Sequence, residues 1–359
     1  MIVDLFSGPR GWSEGLRMLG LTDIGLELDT AACRTAVAAG HPTIQCDIAT
    51  YPTAPVAGRI TGLIASPPCQ AWSRAGKRGG LADQPLVHQA VHDLAHGRDT
   101  RAQLLARCRD PRSLLAAEPM RWLTDLQPEW VCMEEVVDVL PLWQQYAGIL
   151  RGRGYSVWAG VLNAADYGVP QTRRRAILIA SRTRAVTAPG PTHSEQAMTP
   201  GLFGPGRARW VSMAEALGWP DGQTVVTRGE RRTPGGNAFL ADGPSWALTE
   251  KTRSWVLRSG QSVAGEGRAE RRADQPAVTM TSRADLCAWV PSDQPADTVR
   301  ITVAEAAALQ TFPVDHPWQG TRTKQFEQIG NAVPPLLAAH IVAAATGLPA
   351  PALPKEFAR

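Results

Sequence analysis

Cys69 lies in the stretch Ala65-Ser-Pro-Pro-Cys-Gln-Ala-Trp-Ser-Arg-Ala-Gly76, directly after the apolar run 60–64. Proline fixes φ at positions 67 and 68, so the thiol is held in a defined direction. It sits at the carboxyl end of an expected buried strand, where open α/β folds bind their ligands. An isolated cysteine in a turn is more often a packing residue; here the surroundings favour a nucleophile. Glu134 and Glu135 close another apolar run, Trp130 to Met133, and taken alone would be two solvated acids at a strand end. Gln171, Arg173 and Arg175 recur at spacing two before a β run and so share a face, although a run of three arginines is also what an ordinary basic edge strand carries. Asp4-Leu-Phe6-Ser-Gly8-Pro-Arg-Gly11 reads as a strand turning into a helix whose first N–H groups face a ligand. That turn alone also fits a nucleotide-dependent dehydrogenase, which would leave Cys69, Glu134 and the Gln171–Arg175 run unexplained.

The elements that must position these residues read as an α/β alternation. Residues 2–6, 23–28, 60–65, 130–133, 156–162 and 176–180 are expected strands, and 12–19, 30–39 and 140–151 expected helices. This order predicts a mostly parallel sheet with helices on both faces. After Ser181 the pattern changes: Pro, Gly, Arg and Trp dominate from about 189 to 295, with one helix-length run at 212–217. A weak internal repeat, residues 242–256 and 274–290, suggests two hairpin-like units of a small β-rich domain.

With 359 residues, 44% of them hydrophobic, the chain can bury a large core domain and a smaller second one. No uninterrupted apolar run is expected to cross a bilayer, and nothing signal-like precedes Ile2. The six cysteines (33, 46, 69, 108, 132 and 287) form no Cys-x-x-Cys pair and no zinc spacing, which favours free thiols in the cytoplasm and calls for no metal. A net charge of +4 means that any surface for a polyanion must be local. Only four of the 37 basic residues are lysines, and arginine suits bidentate contacts to phosphate and guanine, but a GC-rich genome explains the same bias equally well.

Six strings in order resemble the carbon-5 cytosine DNA methyltransferases: residues 4–15, Pro68-Cys-Gln70, Met133-Glu-Glu-Val136, 163–180, 300–313 and 328–338. The resemblance implies a Rossmann-like, S-adenosylmethionine-dependent methyltransferase fold, with a catalytic domain from residues 1–184 and 321–359 and a β-rich target-recognition domain and hinge at 185–320. It makes Cys69 the nucleophile that adds to carbon 6 of a flipped-out cytosine, and Glu134 the acid that carries or shares a proton with ring nitrogen 3. Gln171, Arg173 and Arg175 become the family's catalytic Gln and Arg residues. The cofactor would be held by Asp4, Phe6, Gly8, Gly11, Glu27, Asp47, Ile48, Pro68, Asn331 and Val333, with Phe6 against the adenine, Glu27 on the ribose and Asp47 with Ile48 reading the adenine.

The implied substrate is a specific sequence in double-stranded DNA, the implied enzyme a monomer, and a cognate restriction endonuclease a candidate partner. An RNA-methylating relative and a catalytically silent DNA-binding homologue are the alternatives. Two departures support the latter: Arg10 stands where the family has glycine, and Glu135 where it has asparagine. Residues 84–109 are an insertion between Gly80-Leu-Ala-Asp83 and Asp110-Pro-Arg112. Its His88, His92 and His96 fall four apart on a helix; they are expected to be solvated or DNA-facing, on a lid at the DNA side, with a metal the minor alternative.

Overall fold

The computed structural model describes residues 1–72, 79–201, 204–218, 224–228, 255–257, 268–272, 274–278, 288–289 and 299–351. In chain order the first half runs β1 (Ile2–Leu5), α1 (Gly11–Met18), β2 (Asp23–Glu27), α2 (Thr30–Ala38), β3 (Thr43–Gln45), β4 (Gly62–Ala65), α3 (Gly79–Ala95), α4 (Arg101–Leu105), α5 (Glu118–Leu126), β5 (Trp130–Glu135), α6 (Leu140–Gly152) and β6 (Ser156–Asn163). There follow β7 (Gln171–Thr172), β8 (Arg174–Ser181), β9 (His193–Ser194), β10 (Ala208–Arg209), α7 (Met213–Leu217), β11 (Thr224–Arg228), β12 (Trp255–Leu257), β13 (Arg268–Arg272), β14 (Ala277–Val278), β15 (Ala288–Trp289), β16 (Val299–Arg300), α8 (Val303–Ala308), α9 (Arg322–Asn331) and α10 (Pro335–Thr346). The contacts divide the described residues into two compact units: Met1–Leu162 with Arg174–Pro189 and Ala338–Pro351, and Asn163–Arg173 with Gly190–Leu337. Residues 321–337, grouped by sequence with the first domain, thus fall in the second unit.

The first unit is built on a seven-stranded sheet in the order β3-β2-β1-β4-β5-β8-β6. Strands β3, β2, β1, β4 and β5 are mutually parallel and β8 runs antiparallel to β5. Every residue of β1 (IVDL), β4 (GLIA) and β5 (WVCMEE) is buried, as expected of strands covered on both faces. β2 and β4 pair with opposite edges of β1, so the chain reverses its direction of travel through the sheet there, and the crevice of an open α/β sheet opens at such a point.

The insertion packs on the main core. Helix α3 buries Val87, Ala90, Val91 and Leu94 in the main core. Their spacing of three and four is a single apolar stripe, and burying it outweighs whatever the histidines on its flank could contribute at the surface. His88 exchanges hydrogen bonds with Gln145 of α6, while the exposed rings of His92 and His96 meet at 4.4 Å, tilted by 35°. Asp83 closes the base of the insertion by accepting from Arg109 N (2.8 Å), Asp110 N (2.9 Å) and Ser113 Oγ (2.8 Å). Burial works to raise the Asp83 carboxyl, but these bonds outweigh it and hold the group below its ordinary value.

In the second unit, β11, β12, β13, β15 and β16 form an antiparallel sheet, and β7 pairs in parallel with β14. The two copies of the internal repeat lie mostly outside the described residues. Helix α8 starts with a Thr302–Glu305 capping box, and Phe312, Phe326 and Ile329 form the centre of a small core of this unit. By length and composition the stretch Arg322–Thr346 could cross a bilayer, yet 83% of its apolar window is buried inside the protein.

Candidate active site

The sheet order lines up the sequence-predicted residues. Asp47 lies just beyond β3, Glu27 ends β2, Phe6 follows β1, Pro68 and Cys69 follow β4, and Glu134 is near the end of β5. These are adjacent parallel strands about 4.8 Å apart, so the row from Asp47 to Glu134 spans about 19 Å at the carboxyl edge of the sheet.

The turn after β1 forms with Arg10 in it. Phe6, Gly8 and Arg10 all have positive φ, at 60°, 52° and 78°. A left-handed residue other than glycine costs about 1 kcal/mol, and such residues persist where the surroundings over-determine them. For Arg10 the surroundings are an ion pair: its fully buried guanidinium meets Asp23 Oδ1 at 3.0 Å, passing over Gly25 of β2, where a Cβ would lie 1.3 Å from Arg10 Nη1. The departure from the family's glycine is therefore compensated within the first unit. Gly11 opens α1 and is buried.

Glu27 ties the turn to β2. Its Oε2 accepts from Gly8 N at 2.8 Å, and its Oε1 from Leu28 N and Asp29 N, each at 2.7 Å. A carboxylate has about four lone-pair directions, so three bonds to the protein leave about one for a ligand hydroxyl. Asp47 is exposed and bonds Ala49 N at 3.0 Å, whereas Ile48 is buried in the core. Leu28, next to Glu27, is 63% exposed at this edge and was not foreseen from the sequence; the signal available was an apolar residue just past the last carboxylate of an expected strand.

Asp4 is fully buried in β1, and neither carboxylate oxygen has a hydrogen-bond partner among the described residues. Burial first, and then the nearby Asp23 carboxylate, push the Asp4 carboxyl well above its ordinary value against the pull of Arg10. An acid raised in the folded state costs nothing below its unfolded value near 3.8, and the cost grows as pH climbs from there towards the folded value. The stability advantage of Asp4→Asn over the parent is therefore expected to increase from pH 5 to pH 8 in denaturant melts; a pH-independent difference would contradict this.

At the end of β5 the two glutamates diverge. Glu134 Oε1 receives Arg175 Nε from the neighbouring β8 at 3.0 Å, and both side chains are nearly buried. Glu135 turns the other way, its Oε2 accepting from Val136 N. Successive residues of a strand point to opposite faces, which keeps the two acids from competing for one site. Glu135→Gln, which retains the acceptor for Val136, is expected to change turnover by less than about tenfold, or about 1.4 kcal/mol in barrier. A gain of several orders of magnitude would show instead that Glu135 holds the enzyme back.

Gln171 and Arg173 belong to the second unit and Arg175 to the first. Arg175 serves Glu134 in the first unit. In the second, Arg173 donates to Gly330 O at 3.0 Å and Gln171 to Leu309 O at 3.4 Å. Arg173, 2% exposed, thereby fixes the backbone beside Asn331, which ends α9 and is itself exposed; Val333 is buried. Cys69 opens a single 3-10 turn, Cys69–Ala71, and residues 73–78 of the same loop lie outside the described residues. Among the described residues no group of three or more His, Cys, Asp or Glu side chains could hold a metal ion.

Known proteins fix the family. The sequence profile of the C-5 cytosine-specific DNA methylases matches residues 1–89, 103–203 and 227–346. The chain belongs to this family. Two relatives align over nearly all of it: the Type II methyltransferase M1.HphI of Haemophilus parahaemolyticus, 29% identical over 95% of this chain and 85% of the relative, and M.DdeI of Desulfomicrobium norvegicum, 26% identical over 94% and 86%. Among solved structures, a DNA modification methyltransferase encoded within an E. coli prophage shares the fold with a TM-score of 0.57 at 21% identity, covering 97% of this chain and 98% of that one. The S. pombe Dnmt2 methyltransferase does so with a TM-score of 0.59 at 13% identity, covering 96% and 98%. The protein is accordingly a DNA (cytosine-5-)-methyltransferase that uses S-adenosylmethionine. The residues of the first unit suit that cofactor: a strained turn at Phe6–Gly8, a carboxylate with one acceptor direction left at Glu27, the exposed apolar Leu28, and the exposed carboxylate of Asp47.

Proposed function

We propose that this methyltransferase modifies one cytosine of a specific duplex sequence, flipped out of the helix, through a covalent adduct with Cys69. The observation that carries the reading is the order of the sheet, which sets Cys69 at the end of β4, between the Phe6–Gly8 turn on β1 and Glu134 on β5. Cofactor-binding groups then lie on one side of the nucleophile and the proton-handling group on the other.

Carbon 5 of cytosine is too weak a nucleophile to accept a methyl group directly. Addition of the Cys69 thiolate to carbon 6 pushes the ring electrons towards carbon 5, while Glu134 donates a proton or hydrogen bond to nitrogen 3 and so absorbs the charge that develops there. Arg175 holds the Glu134 carboxylate at 3.0 Å and sets its direction. S-adenosylmethionine, when bound, supplies an electrophilic methyl group. After carbon 5 is methylated, a base such as water takes the carbon 5 proton. The electron pair of that bond re-forms the 5,6 double bond as the carbon 6–sulfur bond breaks to release the Cys69 thiolate. Nitrogen 3 returns its proton to Glu134, which leaves the enzyme unchanged. Phe6, Gly8, Glu27, Asp47 and Ile48 hold the nucleoside part of the cofactor, with Pro68, Asn331 and Val333 as further contacts by family likeness.

In this reading residues 1–184 and 321–359 form the catalytic domain, and 185–320 the target-recognition domain and hinge. The enzyme acts as a monomer in the cytoplasm beside a cognate restriction endonuclease; the Type II names of the relatives support the restriction-modification part of that reading. Duplex DNA carrying 5-fluorocytosine tests the adduct, because fluorine at carbon 5 cannot leave as a proton. A complex that survives denaturing electrophoresis and needs both Cys69 and the cofactor is the expected result. Full turnover with no trapped species would refute covalent catalysis.

A further inference from the structure

The insertion reaches the cofactor edge of the sheet through a polar brace. Helix α5 directs Glu118, Arg121, Trp122 and Asp125 to one side, the i, i+3, i+4, i+7 face of a helix, and residues 48–53 lie against it. Arg121 donates from Nη2 to Ile48 O at 2.6 Å and from Nη1 to Tyr51 O at 3.0 Å. Arg101, the first residue of α4 in the insertion, donates from Nη1 to Ala49 O at 2.9 Å. The 3%-exposed carboxylate of Glu118 locks both arginines, accepting from Arg101 Nη1 at 2.7 Å on each oxygen and from Arg121 Nε at 3.2 Å. The Tyr51 ring stacks on Trp122, and Thr53 Oγ1 donates to Asp125 at 2.7 Å. Burial pushes the Glu118 carboxyl up, against the pull of the two guanidiniums.

This is an unusual way to hold a loop. Residues 46–53 contain no strand or helix, so the carbonyls of Ile48, Ala49 and Tyr51 have no sheet ladder to satisfy them. Charge-assisted bonds from two rigid guanidinium forks take that place. The three carbonyls belong to the residues directly after Asp47, whose own carboxylate is exposed and makes a local turn to Ala49 N. The far end of the brace is fixed too: Asp99 Oδ1 and Oδ2 grip Arg101 Nε and Nη2 at 2.9 and 2.6 Å, and Asp83 clamps the insertion at its base.

We infer that Arg101, Glu118 and Arg121 are positioning residues for the adenine end of the cofactor site, and that the insertion 84–109 sets cofactor affinity through Arg101. The inference rests on the reading of Asp47 and Ile48 as the adenine-recognising pair. If the loop is free to move, Asp47 must be ordered at the moment of binding, and that cost appears in cofactor affinity but not in chemistry once the cofactor is bound.

The test uses the full chain and four variants, Arg101→Ala, Arg101→Lys, Arg121→Lys and Asp47→Ala. Calorimetry measures binding of S-adenosylhomocysteine and of its inosine analogue, which lacks the adenine amino group. Steady-state kinetics with duplex DNA and melting curves accompany it. Arg101→Ala is expected to weaken S-adenosylhomocysteine and raise KM for S-adenosylmethionine by about tenfold or more, with kcat and the DNA KM within about twofold. It should also shrink the preference for the adenine compound over the inosine one, as Asp47→Ala is expected to do. Arg101→Lys and Arg121→Lys should fall between parent and Arg101→Ala, and they carry the test if the alanine variant does not fold. A lowered melting temperature with unchanged affinity and unchanged preference in the arginine variants would overturn the inference while leaving Asp47 in its role. Unchanged affinity in Asp47→Ala would remove the underlying reading and the inference with it.

Discussion

Cys69→Ser is expected to lose at least about a thousandfold in methyl transfer, about 4 kcal/mol of barrier, while S-adenosylhomocysteine still binds with the affinity of the parent. The serine hydroxyl is almost the same size as the thiol, so the turn Cys69–Ala71 has no reason to change. What is lost is the anion: a thiol with an ordinary value near 8.5 supplies a useful thiolate fraction at neutral pH, and an aliphatic hydroxyl does not. Without an anion to add at carbon 6, carbon 5 stays too electron-poor to take a methyl group. Cofactor affinity separates this from misfolding, because Phe6, Gly8 and Glu27, expected to bind the cofactor, come from the ends of β1 and β2 and not from the substituted loop after β4. Residual turnover within tenfold of the parent would mean that cytosine is activated without Cys69.

Glu134→Gln is the second large effect. Glutamine can still offer a hydrogen bond to ring nitrogen 3 but cannot give it a proton, and positioned proton transfer typically contributes about a hundredfold to ten-thousandfold. A loss in that range in kcat is expected, with the KM for S-adenosylmethionine unchanged. The substitution also leaves the Arg175 guanidinium, 13% exposed, without its carboxylate 3.0 Å away. Removing one partner of a nearly buried ion pair destabilises the fold, so the comparison belongs well below the melting temperature of the variant. Arg175→Lys keeps a charge but loses the planar fork, and it should cost less than Glu134→Gln if Arg175 acts by orienting the carboxylate. An Arg175→Lys loss equal to or greater than that of Glu134→Gln would place Arg175 on the substrate itself.

Much of the fold was legible because β1, β4 and β5 are buried throughout and their sequences are mostly apolar. The expected strands at 2–6, 23–28 and 130–133 are observed as Ile2–Leu5, Asp23–Glu27 and Trp130–Glu135. The row of residues at the strand ends was legible for the same reason: once the strand order is known, their place follows from where each apolar run stops. Tertiary partners were not. Arg10 looked like a misfit in a glycine turn, because the carboxylate that neutralises it, Asp23, is thirteen residues on and meets it only when β2 pairs with β1. The burial of Asp4 is likewise set by the elements that cover β1, which its place in the motif does not reveal.

The insertion shows a different failure. The four-residue spacing of His88, His92 and His96 does mark a helix, yet the stripe at 87, 90, 91 and 94 lies on the same helix and decides how it packs. An apolar stripe is buried whatever chemistry its neighbours could do, so that face of the helix became part of the core. The brace from Arg101 through Glu118 to residues 48–51 was not legible from spacing: Glu118 and Arg121 are one helical turn apart, but their links to Arg101 and to residues 48–51 span 17 to 73 positions.

The most direct test of covalent, sequence-specific methylation is methylation sequencing of plasmid DNA from cells that express the chain, beside cells that express Cys69→Ser. Methylation of carbon 5 at one short sequence in the first and none in the second is the predicted result. Methylated cytosines scattered without a common sequence, or the same pattern from Cys69→Ser, would contradict it.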